Sequence, residues 1–451
     1  MKQNFLQREF LKTSYKGRME IPASAGMTER VAGMTERATG IAKKNTFLPM
    51  VLLMLIFLFV SIPVFAIDYG AVLSGNFLAE DLSEAGKTNR FTAILAPWFS
   101  MPIGEADFFV SIGVQTDYAD YRDNDKLLFI PELYKLEFST KPMDDLYVKA
   151  GRIFWQDSSH LVAKGYFDGA NLLLDKGIIR IGASLFYTGL LYYDSAKINV
   201  SPKDQKALDY AAPFDWSNFS DTYFSPRRLL TSVYVEFPSF PYERGNLYAG
   251  LMAQFDLSDT DEKFHTQYLL VRHTMSYKEF DASVSGVAEL ENTKADGVRA
   301  AFATSVEGGW RLPSEIKDRL SLGVKWASGE GSSTAPFFPI VLEEQGLALK
   351  PYLTGMMTIT AKYEVRLLPS LSAELRGHYF IRTDSETFID SDIEYDSYTL
   401  GAELGGSLLF VPFSDLSFSL GCGFFLPQTG GAMRDDAPVR WSIGLGTILS
   451  F

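Results

Sequence analysis

The feature that most constrains this chain is an alternation of apolar with small or polar residues that recurs from residue 67 to the end. Between Val439 and Phe451 the odd positions are mostly large and apolar, and the even positions are mostly small or polar. Segments 320–326, 357–367 and 416–424 repeat the pattern. A period of two is that of a β-strand. An apolar strand face needs a partner sheet in water but none in lipid, where the other face can line a lumen.

The strand-like segments are numerous and of similar length. Each is close to the roughly 9–11 residues that a tilted membrane strand needs. The sequence therefore predicts an all-β fold for residues 67–451, a transmembrane antiparallel up-and-down β-barrel of about 18 strands (about 16–18). The predicted strands centre on 69–79, 90–99, 107–116, 128–139, 145–155, 163–174, 177–188, 228–237, 246–256, 264–276, 280–290, 298–310, 319–327, 352–367, 371–381, 397–410, 415–425 and 439–451.

The connections between these strands alternate in length, which supports the barrel independently. Outer-membrane barrels have short periplasmic turns and longer external loops in alternation, and an open edge in lipid would leave backbone groups unpaired. The short connections, several with proline, are 101–104, 141–144, 175–177, 238–241, 312–314, 368–370 and 411–413. The long and mostly polar ones are 81–89, 117–127, 189–227, 328–351, 382–396 and 426–438.

The N-terminal region has the composition of an export signal. Lys43 and Lys44 precede an apolar run from residue 47 to 60, followed by Pro63 and Ala66. This order predicts a signal peptide cleaved near Ala66, and the run is also long enough for an uncleaved anchor helix. Residues 1–66 are therefore assigned to an N-terminal extension and leader. Gly-Met-Thr-Glu-Arg occurs twice ahead of the run, at 26–30 and 33–37, which suggests that translation starts at Met34.

Composition excludes several classes of function. The net charge of −13 lacks the basic footprint that nucleic-acid binding requires. Cys422 is the only cysteine, which leaves no intrachain disulfide and no cysteine-based zinc site. The four histidines show no metal-ligand spacing, and no nucleotide-binding or hydrolase motif occurs, so we expect no enzyme, cofactor or metal. The weak hydrolase alternative rests on His160 beside Ser158 and Ser159.

Two short stretches resemble known outer-membrane proteins. The last strand, with Trp441 and a final Phe451, resembles the C-terminal strand of bacterial outer-membrane barrels, in which the terminal aromatic is part of the signal read by the barrel-assembly machinery. Residues 148–155, with Gly-Arg, and 165–172, with Phe-Asp-Gly, are similar to a hairpin of the alginate-export and related porins. The second resemblance covers about 40 residues. It implies a porin-like barrel of similar size that carries sugars or acids.

A barrel of this size is wide enough for an aqueous channel, so we predict an outer-membrane pore for small hydrophilic solutes, including sugars or acidic saccharides. Charges on the lumen-facing positions would set selectivity, and their signs are balanced. The same charges could merely solvate and cross-link the wall. The basic positions are Arg180, Arg272, Arg299, Lys325, Lys362, Arg366, Arg376 and Arg440, and the acidic ones are Glu236, Asp256, Asp281, Glu289, Glu307, Glu364, Glu374 and Glu403.

Several questions stay open from the sequence. Arg152 falls on the apolar face of its strand, so either a bulge turns it or it lies at the membrane interface. The aromatic-rich connection 189–227 could fold inward and constrict the pore, or pack on itself at the surface. Rival functions are a non-conducting adhesive barrel that acts through surface loops, and a specific exporter or importer of a charged solute. The expected partners are outer-membrane lipid, the assembly machinery and a small solute.

Overall fold

The computed structural model describes residues 67–81, 87–120, 126–198, 214–241, 244–258, 263–293 and 297–451. The leader assigned to residues 1–66 lies outside these residues, as do residues 199–213 of the longest connection. No helix among the described residues has the length and hydropathy to span a membrane.

The described chain forms 18 antiparallel strands joined in one sheet. Two helices of one turn, α1 (Tyr193–Ala196) and α2 (Phe219–Tyr223), lie in the connection after the seventh strand. The strands are β1 Asp68–Asp81, β2 Lys87–Ile103, β3 Ala106–Asp120, β4 Lys126–Met143, β5 Leu146–Gln156, β6 Lys164–Asp175, β7 Arg180–Tyr187, β8 Arg228–Pro238, β9 Gly245–Asp256, β10 Phe264–Tyr277, β11 Phe280–Thr293, β12 Gly297–Arg311, β13 Arg319–Ala327, β14 Met356–Leu368, β15 Leu371–Arg382, β16 Thr399–Phe413, β17 Leu416–Pro427 and β18 Arg440–Ser450.

The sheet closes on itself into an up-and-down barrel. Each strand pairs with its neighbours in the chain, and β18 returns to β1 from Val72↔Ser450 to Asp81↔Trp441. The predicted fold class and the strand count of about 18 are both confirmed. Closure pairs the backbone N–H and C=O groups at the edges of β1 and β18, which would otherwise lack hydrogen-bond partners.

The two ends of the barrel differ as the connections predict. One end carries the turns 104–105, 144–145, 278–279, 369–370 and 414–415, together with the start of β1 and the end of β18. The opposite end carries the two longest connections, 188–227 between β7 and β8 and 328–355 between β13 and β14. We call these the short-turn end and the long-loop end.

The two faces of the wall have opposite character. On the outside, apolar side chains such as Leu185, Leu251 and Leu322 are more than half exposed. On the inside of β18, Arg440 and Ser442 are buried, as the alternation in the C-terminal segment predicts. An apolar exterior around a polar interior suits a barrel whose outer surface contacts lipid.

The interior is partly filled by the connection between β13 and β14. Its residues 334–350, which we call the crossing segment, place Phe337 and Ile340 in a core with inner-wall residues of β5 to β13. Inner-wall side chains hold Phe338: its N–H donates to Glu289 Oε2 at 3.0 Å, and its carbonyl accepts from the Tyr268 hydroxyl at 3.0 Å. The lumen is therefore divided by a packed segment of chain.

The longest connection also contributes to this division. Ile198 joins the same core and forms an antiparallel bridge with Val341, and the N–H of Leu342 donates to the Lys197 carbonyl at 3.1 Å. The described start of the connection thus folds inward.

The wall itself has one irregular seam. β4 and β5 pair only from Met143↔Leu146 to Leu136↔Arg152, although β4 continues to Lys126. Within the described part of the chain, no strand pairs with that edge of β4 from residue 126 to 135. Side chains cover it instead. Trp216 Nε1 donates to the Phe129 carbonyl at 3.0 Å, and Arg152 Nη1 donates to the Leu133 carbonyl at 2.8 Å.

The connection 188–227 packs along this seam. Tyr192, Phe214 and Tyr223 form a buried cluster with Ile130 of β4, and the Ser195 hydroxyl donates to Glu132 Oε1 at 2.6 Å. This connection therefore completes the barrel wall where the strands part.

Candidate functional site

A cavity of about 1120 Å³ lies between the crossing segment and the inner wall. It extends to Asp415 in the last short turn and to Phe451, and in the other direction to Gln115, Lys164 and Lys350. The cavity therefore runs from the short-turn end up to the level at which the crossing segment divides the lumen.

The charges that border the cavity balance. Eight basic and eight acidic side chains line it, so the charges of these side chains sum to zero. The sequence predicts such a balance for the lumen as a whole. The basic residues are Lys135, Arg152, Lys164, Lys197, Lys325, Lys350, Lys362 and Arg376, and the acidic residues are Glu132, Asp194, Glu307, Glu343, Glu344, Glu364, Glu374 and Asp415.

Ion pairs join the crossing segment to both sides of the lumen. The Glu343 carboxylate lies between Lys164 Nζ of β6 at 3.2 Å and Lys325 Nζ of β13 at 3.5 Å. Lys197 Nζ lies 2.8 Å from Glu344 Oε1. Because these side chains are partly exposed, they hold the segment and still present charge to a solute in the cavity.

Neutralising Glu343 should change the selectivity of a pore built this way. In Glu343→Gln, Lys164 and Lys325 lose their shared counter-charge, so we expect a shift towards anion preference. Reversal potentials in a salt gradient measure the shift. The control is Glu105→Gln in an exposed turn outside the cavity, which should leave the reversal potential unchanged. An unchanged potential in the Glu343 variant would contradict a role for these charges in selectivity.

The structure separates the predicted lumen residues into two groups. Six of the sixteen, on β12 to β15, border the cavity: Glu307, Lys325, Lys362, Glu364, Glu374 and Arg376. The other ten, which are Arg180, Glu236, Asp256, Arg272, Asp281, Glu289, Arg299, Arg366, Glu403 and Arg440, lie on the inner wall outside its lining.

Two of these ten hold long connections in place. Glu403, buried on β16, accepts the backbone N–H groups of Leu347, Ala348 and Leu349 at 2.6, 2.9 and 3.0 Å. Arg440, buried on β18, donates to Asp390 Oδ2 and to Asp392 Oδ2, both at 2.7 Å, in the connection between β15 and β16. Both residues bind protein groups of the same chain.

Four more of them, all arginines, contact groups close to them. Arg180 lies 2.9 Å from Asp175 and 3.3 Å from Glu236 near a short turn, and Arg366 donates to the Pro369 carbonyl at 2.6 Å. Arg299 pairs with Glu330 of the connection 328–355, and Arg272 contacts His160. Of the acidic positions, Asp256 pairs with Arg228, Asp281 pairs with Arg319, and Glu289 binds Phe338.

The register of β14 and β15 places like charges opposite one another. Lys362 faces Arg376, and Glu364 faces Glu374. The ion pairs therefore form within each strand and not between the two strands. Lys362 Nζ lies 3.2 Å from Glu364 on β14, and Arg376 contacts Glu374 on β15. Facing like charges destabilise a sheet, and a wall exposed to water tolerates them. They give the cavity a cationic pair beside an anionic pair.

The hairpin that resembles alginate-export porins is formed by β5 and β6, with Val148 opposite Leu172 and Trp155 opposite Gly165. Its Arg152 is buried and pairs with Asp168 at 2.7 Å, and Gly151 before it has a φ of 111°, which favours glycine. Arg152 stands at the end of the β4–β5 ladder and lies in the seam, where it donates to the Leu133 carbonyl.

The turn between β5 and β6 carries the residues of the weak hydrolase alternative. Asp157 accepts the N–H groups of Ser159, His160 and Ala163 at 2.7, 3.0 and 2.9 Å, and the Ser159 hydroxyl also binds Asp157. Burial raises the pKa of Asp157, and these bonds oppose that effect. The contacts fold the turn towards the lumen, where His160 borders the cavity.

Sequence reasoning missed most of the residues on the crossing segment and on the first strands. Glu343, Glu344 and Gln345 belong to a connection taken as external. An apolar run from Ala335 to Leu342 within that connection was the available signal, because surface loops rarely bury such a run. Trp98 and Phe109, also missed, border the cavity from β2 and β3.

Comparison with known proteins identifies the fold. No protein-family profile matches the sequence, and no curated protein matches it. Among solved structures, Pseudomonas aeruginosa OccK7 (OpdD) matches with a TM-score of 0.55 and 12% identity over 86% of this chain and 99% of that chain.

Two further Pseudomonas aeruginosa structures are similar to the same extent. The outer membrane protein opdK matches with a TM-score of 0.54 and 10% identity over 86% of this chain and 100% of that chain. OccK2 (OpdF) in complex with glucuronate matches with a TM-score of 0.52 and 13% identity over 86% and 100%. Identities this low show a shared fold and no more. The chain is therefore a closed, 18-stranded antiparallel barrel, similar in fold to these Pseudomonas aeruginosa proteins.

Proposed function

We propose that this protein is an outer-membrane channel through which small hydrophilic solutes pass passively. The observation that carries the proposal is the cavity of about 1120 Å³ along the inner wall, lined by eight charges of each sign and reaching the short-turn end. A barrel that served only as an anchor for surface loops would gain nothing from such a space. The apolar outer face supports a membrane location, and the basic, apolar leader supports export from the cytoplasm.

Acidic saccharides are the solute class that we favour. Lys362 and Arg376 present two adjacent cationic groups to the cavity, and the nearby carboxylates can accept hydrogen bonds from hydroxyl groups. A glucuronate complex of the similar barrel OccK2 (OpdF) is consistent with this class. The resemblance of the β5–β6 hairpin to alginate-export porins points the same way.

Single-channel recording tests the proposal. We expect the refolded barrel, residues 67–451, to give stepwise conductance in planar bilayers, with only weak preference between small cations and anions because the lining charges balance. Heat-modifiable migration on a gel shows that the sample is folded. A folded barrel that never conducts would contradict the channel and favour a role for the external connections.

A further inference from the structure

The inner wall near the short-turn end carries an aromatic patch that the charge pattern does not explain. Trp98 of β2 and Phe109 of β3 stack with ring centroids 5.8 Å apart and an interplanar angle of 20°. Both rings border the cavity. Large aromatic rings on the wall of an aqueous lumen expose apolar surface to water, so their position there calls for a reason.

The strand register shows that this patch is a built surface. Trp98 pairs with Gly70 of β1, and a Cβ atom on Gly70 would lie 2.8 Å from Cζ2 of Trp98. Only a residue without a side chain lets the indole lie over β1 in this way. Phe99 and Phe108 each lie one position nearer the short-turn end than Trp98 and Phe109, and they form a second aromatic pair on the opposite face of the same strands, with centroids 5.7 Å apart.

A cationic group adjoins the rings. Lys135 Nζ of β4 lies 5.1 Å from the centroid of Phe109 and 3.2 Å from Glu137, and Lys149 Nζ lies 3.3 Å from the same carboxylate. Two lysines share one glutamate, so the group has a net charge of +1. Lys135 borders the cavity together with the two rings.

We propose that Trp98, Phe109 and Lys135 form a binding subsite for a ring-bearing carboxylate, of which a uronate in the pyranose form is the best fit. The apolar face of the sugar ring packs on the indole, and the carboxylate pairs with the Lys135 ammonium. The proposal rests on the proposed channel for its access route. It adds a binding site along the channel, between the short-turn end and the ion pairs of the crossing segment.

Three solutes separate the contributions of ring and charge. Glucuronate has both, glucose has the ring alone, and gluconate has the charge on an open chain. Each is added to the barrel in planar bilayers, and the block of single-channel current gives its apparent affinity. We expect glucuronate to block at the lowest concentration.

Two substitutions should then act on different solutes. In Trp98→Leu we expect glucuronate and glucose to bind about tenfold more weakly, and gluconate to be unaffected, which corresponds to the loss of one aromatic contact. In Lys135→Met we expect glucuronate and gluconate to weaken, and glucose to be unaffected. Phe99→Leu, on the outer face of the same strand, is the matched control and should change none of the three.

The outcomes separate this proposal from the proposed channel. Equal weakening of gluconate and glucuronate in Trp98→Leu, or no weakening of either, would overturn the subsite while conduction persists. If the barrel does not conduct, calorimetric titration of glucuronate into the detergent-solubilised protein tests the subsite alone, with the same variants. Phe109→Leu serves where Trp98→Leu does not fold, and it is expected to weaken glucuronate in the same direction.

Discussion

Replacing Glu403 with alanine should at least double the single-channel conductance and make the open current noisy. The Glu403 carboxylate accepts three backbone N–H groups of the crossing segment, at Leu347, Ala348 and Leu349. Each buried donor left without an acceptor costs about 1–3 kcal/mol, so the segment should leave its position against β16. The cavity would then widen on the side of β16 to β18.

Two further variants separate the loss of the hydrogen bonds from the loss of the negative charge. Glu403→Gln keeps an acceptor oxygen, and we expect it to raise conductance less than Glu403→Ala does. Glu364→Gln, which removes a carboxylate that borders the cavity directly, should alter ion selectivity and leave the open current quiet. A Glu403→Ala barrel with the conductance of the unmodified protein would show that the segment keeps its position without the Glu403 hydrogen bonds.

Deleting Phe451 should lower the amount of assembled barrel in the outer membrane by about tenfold. The N–H and the carbonyl of Phe451 both pair with Ala71, at 3.0 and 2.7 Å, so the deletion shortens the β18–β1 ladder that closes the barrel. Unpaired backbone groups in lipid cost several kcal/mol each. The ring of Phe451 is 66% exposed, so it contributes little to packing.

The substitution Phe451→Ala separates closure from recognition, because it keeps both backbone bonds and removes the aromatic ring. If the ring is read by the assembly machinery, as the resemblance to other barrels implies, this variant should be depleted in cells and should refold normally in detergent. The deletion should be impaired in both settings. Gel mobility before and after heating measures folding, and membrane fractionation measures assembly. Normal levels of Phe451→Ala in cells would contradict the recognition role.

The strands could be predicted from the sequence because each one is determined locally. Alternation alone identifies the inner face of β18 from Arg440 and Ser442, and the short connections near Pro142 and Pro369 mark the turns. Alternation also assigns each charged residue to one face of its strand. Alternation does not predict which group each charged side chain contacts inside the barrel. Lys325 borders the cavity, whereas Glu403 binds backbone N–H groups of the crossing segment, although both residues follow the same alternation.

That difference depends on contacts between residues far apart in the chain. Phe337 and Ile340 lie among side chains of β5 to β13, and no local pattern indicates that they should. The distribution of charge around the cavity follows from this one long-range packing event. The pairing of β14 with β15 illustrates the same limit, because a register shift of two positions would place Lys362 opposite Glu374 and not opposite Arg376.

The seam between β4 and β5 has a consequence for engineering and for evolutionary change. External loops of barrels can usually be shortened, exchanged or given an epitope tag, because the hydrogen-bonded wall stands without them. Here Trp216 and the cluster around Tyr223 replace a missing strand partner along β4. Grafting a foreign sequence into this connection would remove part of the wall. Insertions within residues 188–198 and 214–227 should therefore be poorly tolerated.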